Sequence, residues 1–180
     1  MASPVVQISA YGAHSLAVKS DGTVVGWGLD NYGQSTAPAG LTDAIAVSAG
    51  NRHSLALKSD STVVGWGLDS SGQSTPPVGL TGVTAISAGD AHSIALKSDS
   101  TVGGWGLNSS GQITIPVGLT GVIAISANKN HSLALKSDGT VVGWGDNSFG
   151  QAAPPGSLTN ATAISAGLLH GLALRSDGTV

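Results

Sequence analysis

The chain of 180 residues contains no cysteine and no glutamate, and its ten acids are all aspartate. Without cysteine it has no disulfide framework, no thiol nucleophile and no thiolate ligand for a metal. Charged residues make up only 9% of the chain, well below the roughly one quarter usual in globular domains. Long solvated helices draw their surfaces from Glu and Lys, so this scarcity turns the reading away from a helical fold. No stretch approaches the roughly 20 apolar residues that a membrane-spanning helix needs. The opening, Met-Ala-Ser-Pro-Val-Val-Gln-Ile-Ser-Ala, has neither a basic start nor a long apolar run, so no signal peptide is visible. That leaves the compartment open. A net charge of −3 argues against nucleic acid or an anionic membrane as partner.

What the chain does have is glycine, 27 of them, and 41% hydrophobic residues, enough for a core. It also repeats itself. Trp27, Trp66, Trp105 and Trp144 recur every 39 residues. His14, His53, His92, His131 and His170 keep the same step, as do Lys19, Lys58, Lys97, Lys136 and Arg175. Units begin at Val5, Ala44, Val83, Val122 and Ala161, with no insertion between them. Four are complete. The fifth reaches Val180, where the next word of the pattern would be Val-Gly-Trp-Gly. Residues 1–180 therefore read as one repeat domain of about four and a half units.

Each unit carries three strong strand signals: Thr84–Ala88, His53–Ser59 and the Thr-Val-Val-Gly-Trp-Gly word. Asp-Gly at Asp21-Gly22, Asp138-Gly139 and Asp177-Gly178 predicts a two-residue hairpin between the second and third strands, with Asp60-Ser61 and Asp99-Ser100 as poorer versions. The proline-bearing stretch Gly72–Leu80 reads as an edge strand or an irregular crossover, because proline cannot donate to a ladder. Three or four short antiparallel strands per 39-residue unit predict an all-β fold, a β-propeller. Strand alternation gives each sheet a bulky face and a small-residue face, so blades would stack bulky on small.

The words Ser48-Ala49-Gly50, His53, Leu55-Ala56-Leu57-Lys58, Trp66-Gly67 and Gly72-Gln73 resemble the repeat of the regulator of chromosome condensation family. Trp144–Gln151 carries the Trp-Gly-x-Asn-x-x-Gly-Gln word in full, whereas Asp30 and Asp69 stand where Asn108 keeps the Asn. The likeness runs from Val5 to Val180 and is nearest to the short bacterial repeats of β-lactamase inhibitory protein II. It implies a propeller, in that family usually of seven blades. Seven blades of 39 residues would need about 270 residues, so closure by head-to-tail association of chains is expected. Two chains would give nine or ten blades. A five-bladed monomer with a defective last blade and a piece of a longer protein are the competing readings.

Five histidines in equivalent slots lie too far apart to share one ion, and each reads as a brace bonding backbone. His14, Ser15 and Asp21 and their copies imitate a triad, but catalysis needs one asymmetric constellation rather than five copies. The Asp30–Gly33 and Asp146–Gly150 stretches read as Asp/Asn-x-x-Gly turns, not calcium loops, for want of a closing bidentate acid. No catalytic residue, metal site or cofactor is therefore expected, and the chain reads as non-enzymatic.

The informative residues break the repeat. Before each histidine stand Tyr11-Gly12-Ala13, Gly50-Asn51-Arg52, Gly89-Asp90-Ala91, Asn128-Lys129-Asn130 and Gly167-Leu168-Leu169. A second variable slot holds Asn31-Tyr32, Ser70-Ser71, Ser109-Ser110 and Ser148-Phe149. A slot released from the repeat's rules reads as a loop at one end of the ring, where binding surfaces diversify. Tyr11, Tyr32, Asn51, Arg52, Asp90, Lys129, Phe149, Leu168 and Leu169 are the candidate protein-binding residues. The expected function is a protein-binding or scaffold module that also pairs with itself as a homo-oligomer, a dimer first. The alternatives are a purely structural, self-assembling repeat, engineered or recently amplified, and an inhibitor of β-lactamases.

Overall fold

The computed structural model describes residues 3–180. Fourteen strands form five antiparallel sheets, and no helix forms among the described residues. Unit 1 comprises β1 (Val5–Tyr11), β2 (His14–Lys19) and β3 (Val24–Gly28). Unit 2 comprises β4 (Ala44–Ala49), β5 (His53–Lys58) and β6 (Val63–Gly67), and unit 3 β7 (Val83–Ala88), β8 (His92–Lys97) and β9 (Val102–Gly106). Unit 4 comprises β10 (Val122–Asn128), β11 (His131–Lys136) and β12 (Val141–Gly145). Unit 5 has only β13 (Ala161–Ala166) and β14 (Gly171–Arg175). The histidine-bearing strand is the middle strand of every three-stranded sheet.

First strands touch first strands from unit to unit, so β1, β4, β7, β10 and β13 form the inner wall. Third strands pack mainly on their own middle strand and lie outermost. The proline-bearing segments contain turns but no strand, so they are crossovers and each sheet has three strands, not four. All substantial strand packing between units joins successive ones, and none joins unit 1 to unit 5. The chain is an open arc of propeller blades. This sets aside the five-bladed closed ring.

The blade interface differs from the bulky-on-small expectation. Leu16 and Val18 of unit 1 pack against Ala44, Val47, Ala49, Ala56 and Trp66 of unit 2. Leu55 and Leu57 of unit 2 meet Val83, Ala88, Ala95 and Trp105 of unit 3 in the same way. The leucines thus fill the next blade, whereas the tryptophan fills the previous one. Both faces carry large side chains, because the middle and outer strands offer their bulk on opposite faces. Burying a leucine pair and a tryptophan at each interface supplies a driving force that no single blade has alone.

Polar bonds stitch the same seam. The Ala49 amide donates to Ser9 Oγ at 3.0 Å, and the same bond recurs from Ala88 to Ser48, Ala127 to Ser87 and Ala166 to Ser126. These bonds explain the recurring Ser-Ala word. Gly26, Gly65 and Gly143 sit where an added Cβ would collide with the carbonyl of Ser35, Ser74 and Ala152, so the crossover runs flush against the third strand.

The hairpins hold three loop residues rather than two. The Gly22 amide bonds the Lys19 carbonyl at 2.9 Å, and the Lys19 amide bonds the Thr23 carbonyl. Only the last loop position has positive φ, 77° at Gly22 and 79° at Gly139. That is a type I turn followed by a left-handed residue. Ser61 and Ser100 occupy this position with φ of 64° and 62°, at a cost of about 1 kcal/mol relative to glycine. The aspartate before it accepts from the backbone amide and the hydroxyl of the following threonine, as Asp21 does from Thr23. Lys58–Asp60, Lys97–Asp99 and Lys136–Asp138 form exposed rim pairs at 3.4, 3.2 and 2.8 Å.

Candidate functional site

Both variable slots emerge at one end of the arc. The Leu29 amide bonds the Ala13 carbonyl and the Leu68 amide bonds the Arg52 carbonyl, each at 2.8 Å, which ties the loop after the third strand to the loop before the histidine. The nine candidate residues fall at this end into three groups of different character.

The first group is turned inward. Tyr11 is half-buried; its hydroxyl donates to Asp90 Oδ1 at 2.5 Å and accepts from the Lys129 amide at 3.3 Å. Unit 1 is thereby pinned to units 3 and 4 across the concave side. Burial first, then the bond to Asp90 and its negative charge, push the Tyr11 phenol upward. Asn51 bonds the Gly89 carbonyl, Asp90 the Lys129 carbonyl, and Asn128 the Ala166 carbonyl, so each loop grips the next. Tyr11, Asn51, Asp90 and Lys129 thus spend bonding capacity on this internal seam. Tyr11 is not a free aromatic.

The second group faces outward. The Arg52 guanidinium lies over the Tyr32 ring, 5.4 Å from its centroid, with a long bond of 3.4 Å to the phenol oxygen. Such a stack holds the arginine as a planar platform at little entropic cost. The third group lies at the far end of the arc. Phe149 is 70% exposed and Leu168 53%, and Leu169 is half-buried beside them.

Beneath the loops each histidine is fully buried within units 2 to 4. For His14, His53 and His92 the partner is a side chain of the next blade, not the backbone. His14 Nε2 meets Ser54 Oγ at 2.8 Å, His53 meets Ser93 at 2.9 Å, and His92 meets Ser132 at 3.1 Å. Each serine already donates its proton to a main-chain carbonyl: Ser54 to Gln34, Ser93 to Gln73, Ser132 to Gln112. The imidazole must therefore be the donor, which places a proton on Nε2. The same glutamine carbonyls also accept the indole N–H of Trp66, Trp105 and Trp144 at 2.9 Å. Burial, reinforced by neighbouring histidines, lowers the His53 pKa to about 3 and that of His92 to about 4. These rings brace the blade seam.

This glutamine carbonyl hub was missed by sequence reasoning. Its signal was the constant spacing of Gln34, Ser54 and Trp66, repeated in the next two units. The Asp-x-x-Gly turn is matched by the geometry: the Gly33 amide bonds the Asp30 carbonyl at 3.0 Å, and the Asp30 carboxylate accepts from the Ser35 amide at 2.8 Å and the Thr36 hydroxyl at 2.6 Å, so its loop consumes the carboxylate. Among the described residues no three His, Asp or Glu side chains converge as metal ligands would.

An arc of three-stranded blades with variable loops at one end defines a repeat β-propeller scaffold. Residues 5–34, 44–73, 83–112 and 122–151 each match the model of the regulator of chromosome condensation (RCC1) repeat, and the chain belongs to that family. No curated protein sequence matches the chain. Among solved structures it is similar to human WBSCR16, with 18% identity, a TM-score of 0.82, and coverage of 99% of this chain and 61% of that one. It is similar to Prp20p of Saccharomyces cerevisiae, with 21% identity, a TM-score of 0.83, and coverage of 97% and 56%. It is also similar to the ectodomain of the Physcomitrella patens receptor kinase CR4, with 22% identity, a TM-score of 0.81, and coverage of 98% and 50%. The chain thus spans between half and about three fifths of these structures, and the likeness is one of fold. The Prp20p structure is described with that protein's binding to Gsp1p and histones, and another with Kap60 bound to it.

Proposed function

We propose that the chain is a non-enzymatic, protein-binding scaffold that engages its target through the outward-facing loops at the variable end. The observation that carries this reading is the Tyr32–Arg52 stack together with exposed Phe149 and Leu168, all on slots that the blade packing leaves free to vary. Rigid aromatics and a stacked arginine are the side chains that anchor protein interfaces. That the similar Prp20p is described with protein partners supports the same class of function. The experiment is affinity capture with the wild-type chain and with Tyr32→Ser/Arg52→Ser/Phe149→Ser, followed by identification and titration of retained proteins. A partner that titrates with the wild type and is lost with the triple variant supports the reading. Equal retention by both, or no saturable partner, overturns it. The narrower inhibitor-like variant rests on repeat wording alone, and inhibition of a class A β-lactamase by the purified chain tests it.

A second reading concerns the two ends of the arc, and copies of the chain associate head to tail through them. Unit 1 leaves Val5, Ile8 and Trp27 exposed, on the face that interior blades bury against their predecessors. Unit 5 leaves Leu172 and Leu174 exposed, on the face that interior blades bury against their successors. The two faces are complementary, and such surfaces in one molecule favour heterologous contacts. Light scattering tests this reading: a multiple of 17.6 kDa supports it and the monomer mass at all concentrations overturns it.

A further inference from the structure

The slot just before the buried histidine is filled differently in each unit, and the fillings do different work. In unit 4 it holds Asn130, whose Oδ1 accepts from the side-chain amide of Gln112 at 3.4 Å. The equivalent amide of Gln34 is fully buried, and its Nε2 finds no acceptor in the chain. The slot that supplies the acceptor in unit 4 holds Arg52 in unit 2, and an arginine side chain has donors only. The Gln73 amide, whose slot holds Ala91, is in the same state, so an unpaired amide does not by itself mark a site. What sets unit 2 apart is where its slot residue goes, outward onto the Tyr32 ring.

The Arg52–Tyr32 pair is held from beneath. Gln34 Oε1 accepts from the Tyr32 amide at 2.9 Å, while the Gln34 main-chain carbonyl is fixed by Ser54 and Trp66. The Arg52 carbonyl accepts from the Leu68 amide at 2.8 Å. Both main chains are thus anchored on the same blade seam. The guanidinium itself keeps only the long bond to the phenol oxygen. Among the described residues Arg52 forms no ion pair, whereas Lys58, Lys97 and Lys136 each hold an aspartate. The acids of the adjoining turns are already engaged. Asp30 is held by its own loop, and Asp69 accepts from the Ser74 amide at 2.8 Å and the Thr75 hydroxyl at 2.7 Å. The planar fork is therefore exposed, positioned in advance and without an acceptor.

We propose that Arg52 is the seat for one carboxylate, an aspartate or glutamate side chain of a protein partner, gripped bidentately by the guanidinium while Tyr32 packs beside it. The proposal rests on the loop-surface reading above and names the chemistry which that surface selects. A stacked guanidinium presents two parallel N–H groups that match the two oxygens of a carboxylate. A phosphorylated segment or a nucleic acid is the poorer occupant. It would bring more than one negative charge to a single arginine, beside Asp30 and Asp69, on a chain of net charge −3. Holding arginine where asparagine would pair the Gln34 amide gives up stability in favour of the exposed fork.

The probe is a random-peptide display library selected on the immobilised full chain, with the best binder then synthesised and titrated by calorimetry. Selected peptides should share an acidic residue, and replacing it by its amide should weaken binding about tenfold. Arg52→Lys keeps the charge but loses the fork, and should still weaken binding several-fold. Arg52→Asn should abolish binding and yet raise the unfolding midpoint, because asparagine supplies the acceptor that Gln34 lacks. Lys97→Gln, at the opposite end of β8, removes the same charge and should leave binding unchanged. Loss of binding together with loss of stability in Arg52→Asn would make Arg52 a structural residue and overturn the proposal. So would binders that lack an acidic residue or hold Arg52→Asn equally well; if these still need Tyr32 and Phe149, the loop-surface reading stands without it. A library that yields no saturable binder removes both.

Discussion

The interior blades and the end blades are written in nearly the same words yet are in different physical situations. Trp66, Trp105 and Trp144 are 6 to 8% exposed, whereas Trp27 is 53% exposed. Leu55, Ile94 and Leu133 are buried, whereas Leu172 is half exposed. Nothing within the strands accounts for this. The difference is whether a neighbour stands on each side, so a residue's worth in this chain is set by its unit's place in the arc. Stability should then behave as a sum of nearest-neighbour seams.

The sharpest way to break that comparison is to make one substitution in two places. Trp105→Ala should cost about 3–5 kcal/mol, the usual range for emptying a packed core site. Trp27→Ala should cost about 1 kcal/mol or less, because half its surface is already in water. Urea unfolding of both variants decides it; equal losses would mean that the seams do not carry the fold.

Acid is the next lever. His53 and His92 have folded pKa values lowered to about 3 and about 4, whereas an unfolded histidine titrates near 6.5. Below that value the unfolded chain takes up protons that the buried rings refuse. Their contribution is therefore intact above pH 6.5 and is lost as the pH falls. The slope approaches about 1.4 kcal/mol per pH unit for each ring. Unfolding free energies measured between pH 7.5 and pH 4.5 should show this fall, and a flat profile would place the rings in contact with water.

The smallest effect lies in the hairpins. Ser61→Gly and Ser100→Gly relieve a left-handed serine and should each stabilise by about 0.5–1 kcal/mol, while Gly139→Ser should do the reverse. Thermal unfolding reads the sign. No gain would mean that serine is unstrained there.

Much of the architecture was readable from the 39-residue period. The three strands of units 1 to 4 lie where the β-rich words predict them, since each strand is specified by its own alternation and bounded by its own glycines. The seams were harder to read. His14 bonds Ser54, Ala49 bonds Ser9 and Trp66 bonds Gln34, always across a blade boundary. A reading that compares copies within one unit pairs neighbours in sequence and so assigned the histidine to backbone and gave each blade one bulky face instead of two. Tyr11 was misjudged for the same reason. Its partners Asp90 and Lys129 lie two and three units away, and only the curvature of the arc brings them together. The hairpin length was missed because Asp-Gly also serves as the end of a three-residue loop, which the Lys19–Thr23 pairing selects.

The central claim is that interior seams are closed and the two ends of the arc are bare. Residue-resolved hydrogen exchange on the dilute chain, with its mass recorded alongside, tests it most directly. Amides of β5, β8 and β11 should be the slowest, and those of β3 and β14 should exchange far sooner. Protection of β14 equal to that of β8 in a 17.6 kDa monomer would contradict the account.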